Sequence, residues 1–311
     1  MNNRTAALIA LVLVQLFYGV TYTFANDVIV GGYIMPFGFI VLRVVCATFL
    51  FWGFSLVVPS KKIDRKDFPK LIAAAFFGVA LNMLAFFKGL QYTTPIDGSV
   101  IMTTVPIIVL ILSAIILKEQ IKKLKIVGIG LGLLGALVLI LYGQNSENRE
   151  NIMLGNILVL VNAASYSYYL ILIKKLTAKY HPYDFIKWLF LFGSIMVLPF
   201  GYAELSAVNW QGFPSYIWFS VGFVIVFATF GTYLLNPLAL KNLKATTVST
   251  FLYFQPIFAG IFAIAMGSDQ FDLIKGLAAL LIFIGVYLVS KINLFDNHNS
   301  FINRMFGGWL Y

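Results

Sequence analysis

The feature that most constrains the fold is a long segment that occurs twice in the sequence. Residues 89–141 align without a gap to residues 239–291, and Pro106 falls on Pro256 at an offset of 150 positions. Identical residues recur at the same offset in both copies: Leu90 and Leu240, Ser99 and Ser249, Gln120 and Gln270, Lys125 and Lys275, and Gly135 and Gly285. A gapless match that keeps a proline in register within an apolar run indicates an internal duplication.

Long apolar runs fill most of the chain. Of its 311 residues, 60% are hydrophobic and 11% are charged, whereas soluble domains contain about 25% charged residues. A membrane-spanning helix needs about 20 mostly apolar residues. The sequence predicts ten such helices, at residues 5–24, 36–57, 71–87, 98–117, 126–141, 155–173, 184–201, 216–238, 248–266 and 274–290. The runs lack the alternation of barrel strands, so we predict an all-α integral membrane protein.

The basic residues are distributed unevenly between the predicted loops. If the N-terminus is cytoplasmic, the lysine-rich loops at 61–70, 118–125, 174–179 and 241–244 are cytoplasmic too. Only Lys88, Arg149 and Lys275 then remain for the opposite side. The positive-inside rule therefore places both termini in the cytoplasm. The formal net charge of +10 has the same explanation, so no nucleic-acid partner is expected.

Ten spans in two repeats leave an odd number, five, in each repeat. The second repeat therefore enters the membrane from the opposite face, which makes it an inverted repeat. The predicted division is a first repeat at 4–142, an outer linker at 143–154, a second repeat at 155–291 and a cytoplasmic tail at 292–311. Such a duplication suits a carrier that works by alternating access. The alternative is a duplicated fold that is kept only for packing.

Several of these marks resemble those of a known family. In the first repeat they are the arginine of the second span (Arg43), the turn at 89–93, Pro106, Glu119 and the glycines of the fifth span. In the second repeat they are Gly155, the run at 162–169, Pro256 and Asp269, without an arginine in the seventh span. In order and spacing the chain resembles the EamA family of the drug/metabolite transporter superfamily, over about residues 4–291. The resemblance implies a ten-helix carrier, usually an exporter of amino acids or other small metabolites.

Arg43 is the most prominent candidate site residue. An arginine inside a hydrophobic span costs about 2.5 kcal/mol or more, so it needs a partner or water. One interpretation is a clamp for a substrate carboxylate or phosphate, which a guanidinium binds through two hydrogen bonds. The other is a structural role, in which Arg43 pairs with Asp27 or with backbone carbonyls, or extends towards the membrane surface.

The two register-matched prolines predict a second candidate region. Pro106 and Pro256 each remove a helix hydrogen bond within a span, and Thr103, Thr104, Tyr253 and Gln255 lie beside them. Kinked helices with polar groups at mid-membrane are where a carrier site is expected, although threonine hydroxyls alone can satisfy a kink. The other polar residues predicted to line the site are Gln15, Tyr18, Asn82, Asn162 and Tyr166. Together they predict an uncharged, tyrosine-lined cavity for a zwitterionic or neutral metabolite.

Other polar residues suggest weaker hypotheses. Asp97 and Lys88 flank the turn between the third and fourth spans, where they form either an outer gate with a proton-coupling carboxylate or a solvated loop. The small-residue spacing Gly128, Gly132 and Ala136 favours close helix packing over a dimer face. With one cysteine and two histidines in the chain, no metal, cofactor or intramolecular disulfide is expected.

The sequence thus favours a secondary-active transporter over an enzyme. No phosphate-binding GxxxxGK[ST] motif occurs, so ATP-driven transport by this chain is not expected. The alternative is an integral membrane enzyme, or a lipid-handling protein, that acts on isoprenoid or lipid phosphates. Such an enzyme needs a cluster of carboxylates or histidines at one face, which the sequence does not predict; a channel is a third alternative. We expect a multi-pass protein of the cell (inner) membrane, as a monomer or homodimer, whose partners are the lipid bilayer and a small-molecule substrate.

Overall fold

A computed structural model describes residues 3–58, 61–92, 101–141, 151–265, 273–274 and 276–289. These residues form helices joined by short turns, and no β-strand occurs among them. The helices are α1 (Asn3–Val30), α2 (Pro36–Val57), α3 (Phe68–Ala75, Phe76–Ala80 and Leu81–Tyr92), α4 (Val105–Ile116), α5 (Lys123–Leu141), α6 (Ile152–Thr177), α7 (Pro182–Ser206), α8 (Ser215–Ile225, Val226–Gly231 and Thr232–Asn242), α9 (Ala245–Thr250, Phe251–Phe254 and Gln255–Ala265) and α10 (Gly276–Val289).

Six helical stretches are long and apolar enough to cross a membrane. They are Asn3–Thr21, Pro36–Val57, Arg65–Gly89, Met153–Thr177, Pro182–Ser206 and Ser215–Asn242. Val105–Ile116 and Gly276–Val289 are shorter apolar helices. The protein is therefore an all-helical integral membrane protein. The count of ten spans and the side of the termini stay predictions, and the predicted outer linker and tail lie almost wholly outside the described residues.

Local signals set where several helices begin and end. Helix α1 runs past its predicted end at residue 24 and stops before Gly32, whose φ of +73° suits a residue without a side chain. Helix α2 then starts at Pro36, after an extended Met35. Helix α7 starts at Pro182, and the Asp184 carboxylate accepts a hydrogen bond from the His181 backbone N–H at 3.0 Å. Proline in the first turn is tolerated because its missing N–H has no helical partner there.

Two long helices each contain a short π-helical segment. The first, Phe76–Ala80, lies in α3, and the second, Val226–Gly231, lies in α8. Their first residues are separated by 150 positions, which is the offset of the sequence repeat. A π turn inserts one extra residue and changes the direction of the side chains that follow it, and such turns are frequent at functional sites.

Helices α5 and α10 approach each other through small residues. A methyl group at Gly128 would lie 2.8 Å from the carbonyl oxygen of Gly285, and one at Gly135 would lie 2.6 Å from that of Ala278. Gly285 and Ala278 occupy the positions 150 residues after Gly135 and Gly128. The repeat offset therefore converts one of these contacts into the other. The packing role expected for Gly128 is observed.

The lysine-rich loops meet at one end of the helix bundle. Lys179, in the turn before α7, donates to the carboxylates of Asp64 and Asp67, which precede α3. Lys174 donates to the carbonyl oxygens of Leu240 and Leu243, at 2.6 and 2.8 Å, at the end of α8. These loops were all predicted to be cytoplasmic, and their contacts join both halves of the chain.

The same end also carries a buried ion pair. The Lys125 ammonium lies 3.6 Å from the Glu119 carboxylate and donates to the Thr246 hydroxyl at 3.0 Å. Thr246 in turn donates to Glu119 at 3.1 Å. Glu119, one of the family marks of the first repeat, is thus paired with a lysine and a threonine at this end of the bundle. Its repeat equivalent, Asp269, lies outside the described residues.

Candidate functional site

Arg43 is buried where α2 packs against the π segment of α8. Its side chain is 7% exposed, and its Nε donates a hydrogen bond to Thr229 Oγ1 at 3.0 Å. Thr229 Oγ1 donates onward to the carbonyl oxygen of Val224 at 2.8 Å, within α8. Among the described residues no carboxylate lies within ion-pair distance of Arg43, and the pair with Asp27 that we considered is not formed. A desolvated guanidinium held by a neutral hydroxyl keeps its positive charge uncompensated.

Tyrosines of α1 and α8 also interact with Arg43. Tyr18 of α1 and Tyr233 of α8 are its electrostatic partners. The Tyr18 side chain is hydrogen-bonded to Thr232, and the Tyr233 hydroxyl donates to the carbonyl oxygen of Gly78 at 2.6 Å. Gly78 belongs to the π segment of α3. Each π segment therefore accepts a hydrogen bond from a polar side chain of the other half of the chain. Arg43 of the first half donates to the π segment of α8, and Tyr233 of the second half donates to the π segment of α3.

The tyrosines continue as a row into α6. The ring centroids of Tyr166 and Tyr169 are 5.9 Å apart, and those of Tyr169 and Tyr233 are 6.1 Å apart. The Tyr169 ring lies directly on Gly78, where an added methyl group would be 2.1 Å from it. The α3 backbone needs glycine here because any side chain would displace the ring. We call Tyr18, Arg43, Tyr166, Tyr169, Thr229 and Tyr233 the arginine–tyrosine cluster.

Some buried polar atoms near this cluster have no hydrogen-bond partner among the described residues. They include the Tyr169 hydroxyl and the Oδ1 atoms of Asn162 and Asn236. Asn162 uses its other side-chain atom, Nδ2, to donate to the backbone oxygen of Asn82 at 2.7 Å. Asn82 therefore takes part in this contact through its carbonyl group rather than through its side chain. Unpartnered buried polar atoms cost about 1–3 kcal/mol each, so natural proteins keep few of them without a use.

The proline breaks form a second polar group beside the first. Helix α4 begins at Val105 after a turn at 103–104, so Pro106 lies in its first turn, and Pro256 lies at the same place after the 3₁₀ segment Phe251–Phe254. The Tyr253 hydroxyl donates to the Thr103 carbonyl oxygen at 3.3 Å. These two residues are 150 positions apart, so repeat-equivalent positions touch each other directly.

Two further bonds complete this group. The Thr104 hydroxyl donates to the Ile101 carbonyl oxygen at 2.6 Å, whereas the carbonyl that Pro106 leaves without its helical partner is that of Met102. The Gln255 side chain donates to Gln15 Oε1 at 2.9 Å. Gln15 and Tyr18 are three residues apart and share a face of α1. Helix α1 thus connects the proline breaks to the arginine–tyrosine cluster.

The structure describes only one of the two proposed gate residues. Lys88, near the end of α3, has its ammonium 5.0 Å from the ring centroid of Tyr92. Asp97 lies outside the described residues. In the described part of the chain, no group of three or more His, Cys, Asp or Glu side chains could hold a metal ion.

Sequence reasoning missed three residues of the cluster: Tyr169, Thr229 and Tyr233. A usable signal existed in the eighth span, where Thr229, Tyr233 and Asn236 recur at intervals of four and three residues. That spacing puts polar residues on one side of a helix, and polar residues within a span face the protein interior.

The family model for the EamA-like transporter family matches the chain twice, over residues 5–141 and 153–291. The chain belongs to the EamA-like transporter family. The two matches cover nearly the whole sequence and fall on the two halves of the 150-residue repeat. Membership of this family, which lies within the drug/metabolite transporter superfamily, makes the protein a multi-pass membrane transporter.

Other proteins are similar to this chain along most of their length. An uncharacterized transporter from Archaeoglobus fulgidus is 29% identical over 283 residues, which is 91% of this chain and 98% of that protein. The uncharacterized transporter YyaM from Bacillus subtilis is 23% identical over 237 residues, 76% of this chain and 77% of that protein. A solved crystal structure superposes with a TM-score of 0.79 at 14% identity, over 93% of this chain and 98% of the other. At that identity the superposition shows a shared fold alone.

Proposed function

We propose that this protein is a secondary-active transporter that exports small metabolites such as amino acids. Residues 4–142 and 155–291 act as two inverted five-helix repeats that rock against each other around a central site. The linker at 143–154 lies outside, and both termini are in the cytoplasm of a cell whose inner membrane holds the protein. No enzymatic step is part of the proposal, in keeping with relatives that are named transporters.

The observation that carries the proposal is that the arginine–tyrosine cluster is built from both halves. Arg43 of the first half contacts Thr229 of the second, and Tyr233 of the second contacts Gly78 of the first. A movement of one half against the other therefore changes both contacts at once. A substrate that binds among these groups is sensitive to the movement, and the movement is sensitive to the substrate, which is what alternating access requires.

The paired structural features support the inverted arrangement. The π segments, the proline breaks and the contacts of α5 with α10 all recur at the 150-residue offset. Symmetric pairs that meet at the boundary between the halves are expected when two repeats are related by a two-fold axis. Gln255, at the break in α9, donates to Gln15 of α1 and so links the broken helix to the site.

Transport into liposomes tests this function. The purified protein would be reconstituted, and uptake and counterflow of labelled amino acids and nucleosides would be measured with Arg43→Ala and Gln255→Ala alongside. We expect saturable flux with counterflow, reduced about tenfold or more in both variants because each loses a polar contact at the centre. Gln211→Ala, which removes an exposed amide in an outer turn, is the matched control and should keep wild-type flux.

Two results would contradict the proposal. Flux that does not saturate and shows no counterflow would indicate a channel. Conversion of a labelled compound without its movement would indicate an enzyme.

A further inference from the structure

The chemical surroundings of Arg43 are uniform in one respect: its identified neighbours are hydroxyl groups. Thr229 accepts a hydrogen bond from Nε, and the electrostatic partners of the guanidinium are the phenols of Tyr18 and Tyr233. These hydroxyl groups accept hydrogen bonds but are uncharged, so they do not balance the charge of the guanidinium. Among the described residues, the guanidinium therefore has contacts without a counter-charge.

Among the described residues, only part of the hydrogen-bonding capacity of the Arg43 guanidinium is used. Nε is occupied by Thr229 Oγ1 at 3.0 Å. The terminal nitrogens Nη1 and Nη2 donate to no described residue. These two nitrogens form the planar fork that a carboxylate accepts through two parallel hydrogen bonds. The Tyr169 hydroxyl, buried and without a partner in the described part of the chain, is a further O–H donor in the same cluster.

The net charge of the site distinguishes the possible ligands. A carboxylate would neutralise the charge of the Arg43 guanidinium, whether it belongs to a simple acid or to a zwitterion. A ligand without an anionic group would leave the positive charge uncompensated, and one with only a cationic group would be repelled. A doubly charged phosphate would leave a net negative charge buried among tyrosine rings, which is costly in a site of low dielectric.

We propose that the transported substrate carries a carboxylate group, that Arg43 binds this group through Nη1 and Nη2, and that Thr229 is a positioning residue that holds the guanidinium. This inference rests on the proposed transport function and gives its site a ligand class. Thr229 acts from the π segment of α8, because its own hydroxyl is anchored to the Val224 carbonyl oxygen. Removing that hydroxyl should loosen the guanidinium without removing its charge.

Matched pairs of compounds test the ligand class directly. Thermal unfolding of the purified full chain in detergent would be measured with benzoate against benzamide, with phenylalanine against phenylalaninamide, and with inorganic phosphate. We expect the carboxylate of at least one pair to stabilise the protein at a concentration at least tenfold lower than its amide. Phosphate should have a smaller effect than that carboxylate.

Variants assign the preference to Arg43 and Thr229. Arg43→Gln should remove the difference between acid and amide, whereas Arg43→Lys, which keeps the charge but loses the planar fork, should keep part of it. Thr229→Val should reduce the preference several-fold, and Thr229→Ser should restore it because serine keeps the hydroxyl. If Arg43→Gln does not fold, Arg43→Lys and the Thr229 pair still test the inference.

Several outcomes would overturn it: equal binding of acid and amide, an unchanged preference in Arg43→Gln, phosphate as the best ligand, or no binding of any carboxylate. The same preparations, placed in liposomes, separate this failure from failure of the transport function. Saturable flux of neutral or cationic compounds that is unchanged in Arg43→Gln would support the transport function and contradict the carboxylate proposal. Carboxylate binding that depends on Arg43, without flux of any compound, would keep the site and reject transport.

Discussion

Two contacts at equivalent places in the two halves have opposite chemistry. In one, Arg43 of α2 donates to Thr229 in the π segment of α8. In the other, 150 residues away at both positions, Gly193 of α7 lies against Val79 in the π segment of α3. A methyl group on Gly193 would be only 2.7 Å from the Val79 side chain. One contact thus holds a buried charge, and the other brings two helices together with no room to spare.

The difference shows how a repeated architecture serves two tasks. The Gly193–Val79 contact lets α7 and α3 pack at close range, which stabilises the fold through dispersion and burial. The Arg43–Thr229 contact buries a charge that packing does not require, and burying this charge lowers the stability of the fold. Both contacts join the two halves, so one repeated interface supplies the charged group of the site at one place and close helix packing at the equivalent place.

The largest expected effect comes from removing the charge. In Arg43→Met we expect flux of a carboxylate substrate to fall about 100-fold, because the group that neutralises the substrate is lost. The free energy of unfolding should rise by about 1–4 kcal/mol, since an apolar replacement for a buried ionic group is often stabilising. Flux assays and unfolding in sodium dodecyl sulfate would measure both. Lower stability together with unchanged flux would mean that Arg43 is structural.

The close contact is expected to respond in the opposite way. Gly193→Ala should lower the free energy of unfolding by about 1–3 kcal/mol, because the added methyl group meets Val79. Val79→Ala in the same protein should restore part of the loss by removing the atoms that clash. Gly222→Ala is the control, since nothing lies within 4 Å of the added carbon there. If Gly193→Ala is as harmless as that control, the Gly193–Val79 contact is not the close packing contact described.

Loss of the hydrogen bond from Tyr233 to the π segment of α3 should have a smaller effect. Tyr233→Phe removes the hydroxyl that donates to the Gly78 carbonyl oxygen at 2.6 Å, and should cost about 1 kcal/mol of unfolding free energy. Tyr253→Phe removes a longer bond, 3.3 Å to the Thr103 carbonyl oxygen, and should cost less. The same unfolding assay would rank the two variants. A larger loss of unfolding free energy in Tyr253→Phe than in Tyr233→Phe would show that the π segment of α3 does not depend on the Tyr233 hydrogen bond.

The smallest effect is expected at the end of the bundle, away from both contacts. The hydrogen bond from Lys179 lowers the pKa of Asp64 below its ordinary value of 3.8. A carboxylate with a depressed pKa stabilises the fold above its unfolded pKa and loses that effect as the pH falls through the folded value. Wild type and Asp64→Asn should therefore differ slightly in unfolding temperature at pH 7 and converge below pH 3.8. A difference that persists in acid would assign the effect to something other than this pair.

The sequence contained the features that depend on local chemistry or on the repeat. Apolar runs predicted the helices, and the in-register Pro106 and Pro256 predicted the two breaks. Arg43 was prominent because a charge inside a span is costly. Its contacts were not predictable in the same way, since Thr229 lies within the π segment of α8 and Tyr233 follows that segment. The spacing of Thr229, Tyr233 and Asn236 indicates a shared face of α8, but not which residues of α2 and α3 that face meets. The bond between Gln15 and Gln255 needed the tertiary fold, although both residues were candidates.

The paired contacts between α5 and α10 have a consequence for how this protein can vary. Gly128 meets Gly285 and Gly135 meets Ala278, so the surface is isologous in the sense used for two-fold homodimers. In a homodimer every substitution is made twice, and both copies must tolerate it. In a single fused chain a substitution is made once, so each half can change while the other keeps the shared surface intact. That freedom is what allows an arginine at position 43 to have a glycine as its counterpart.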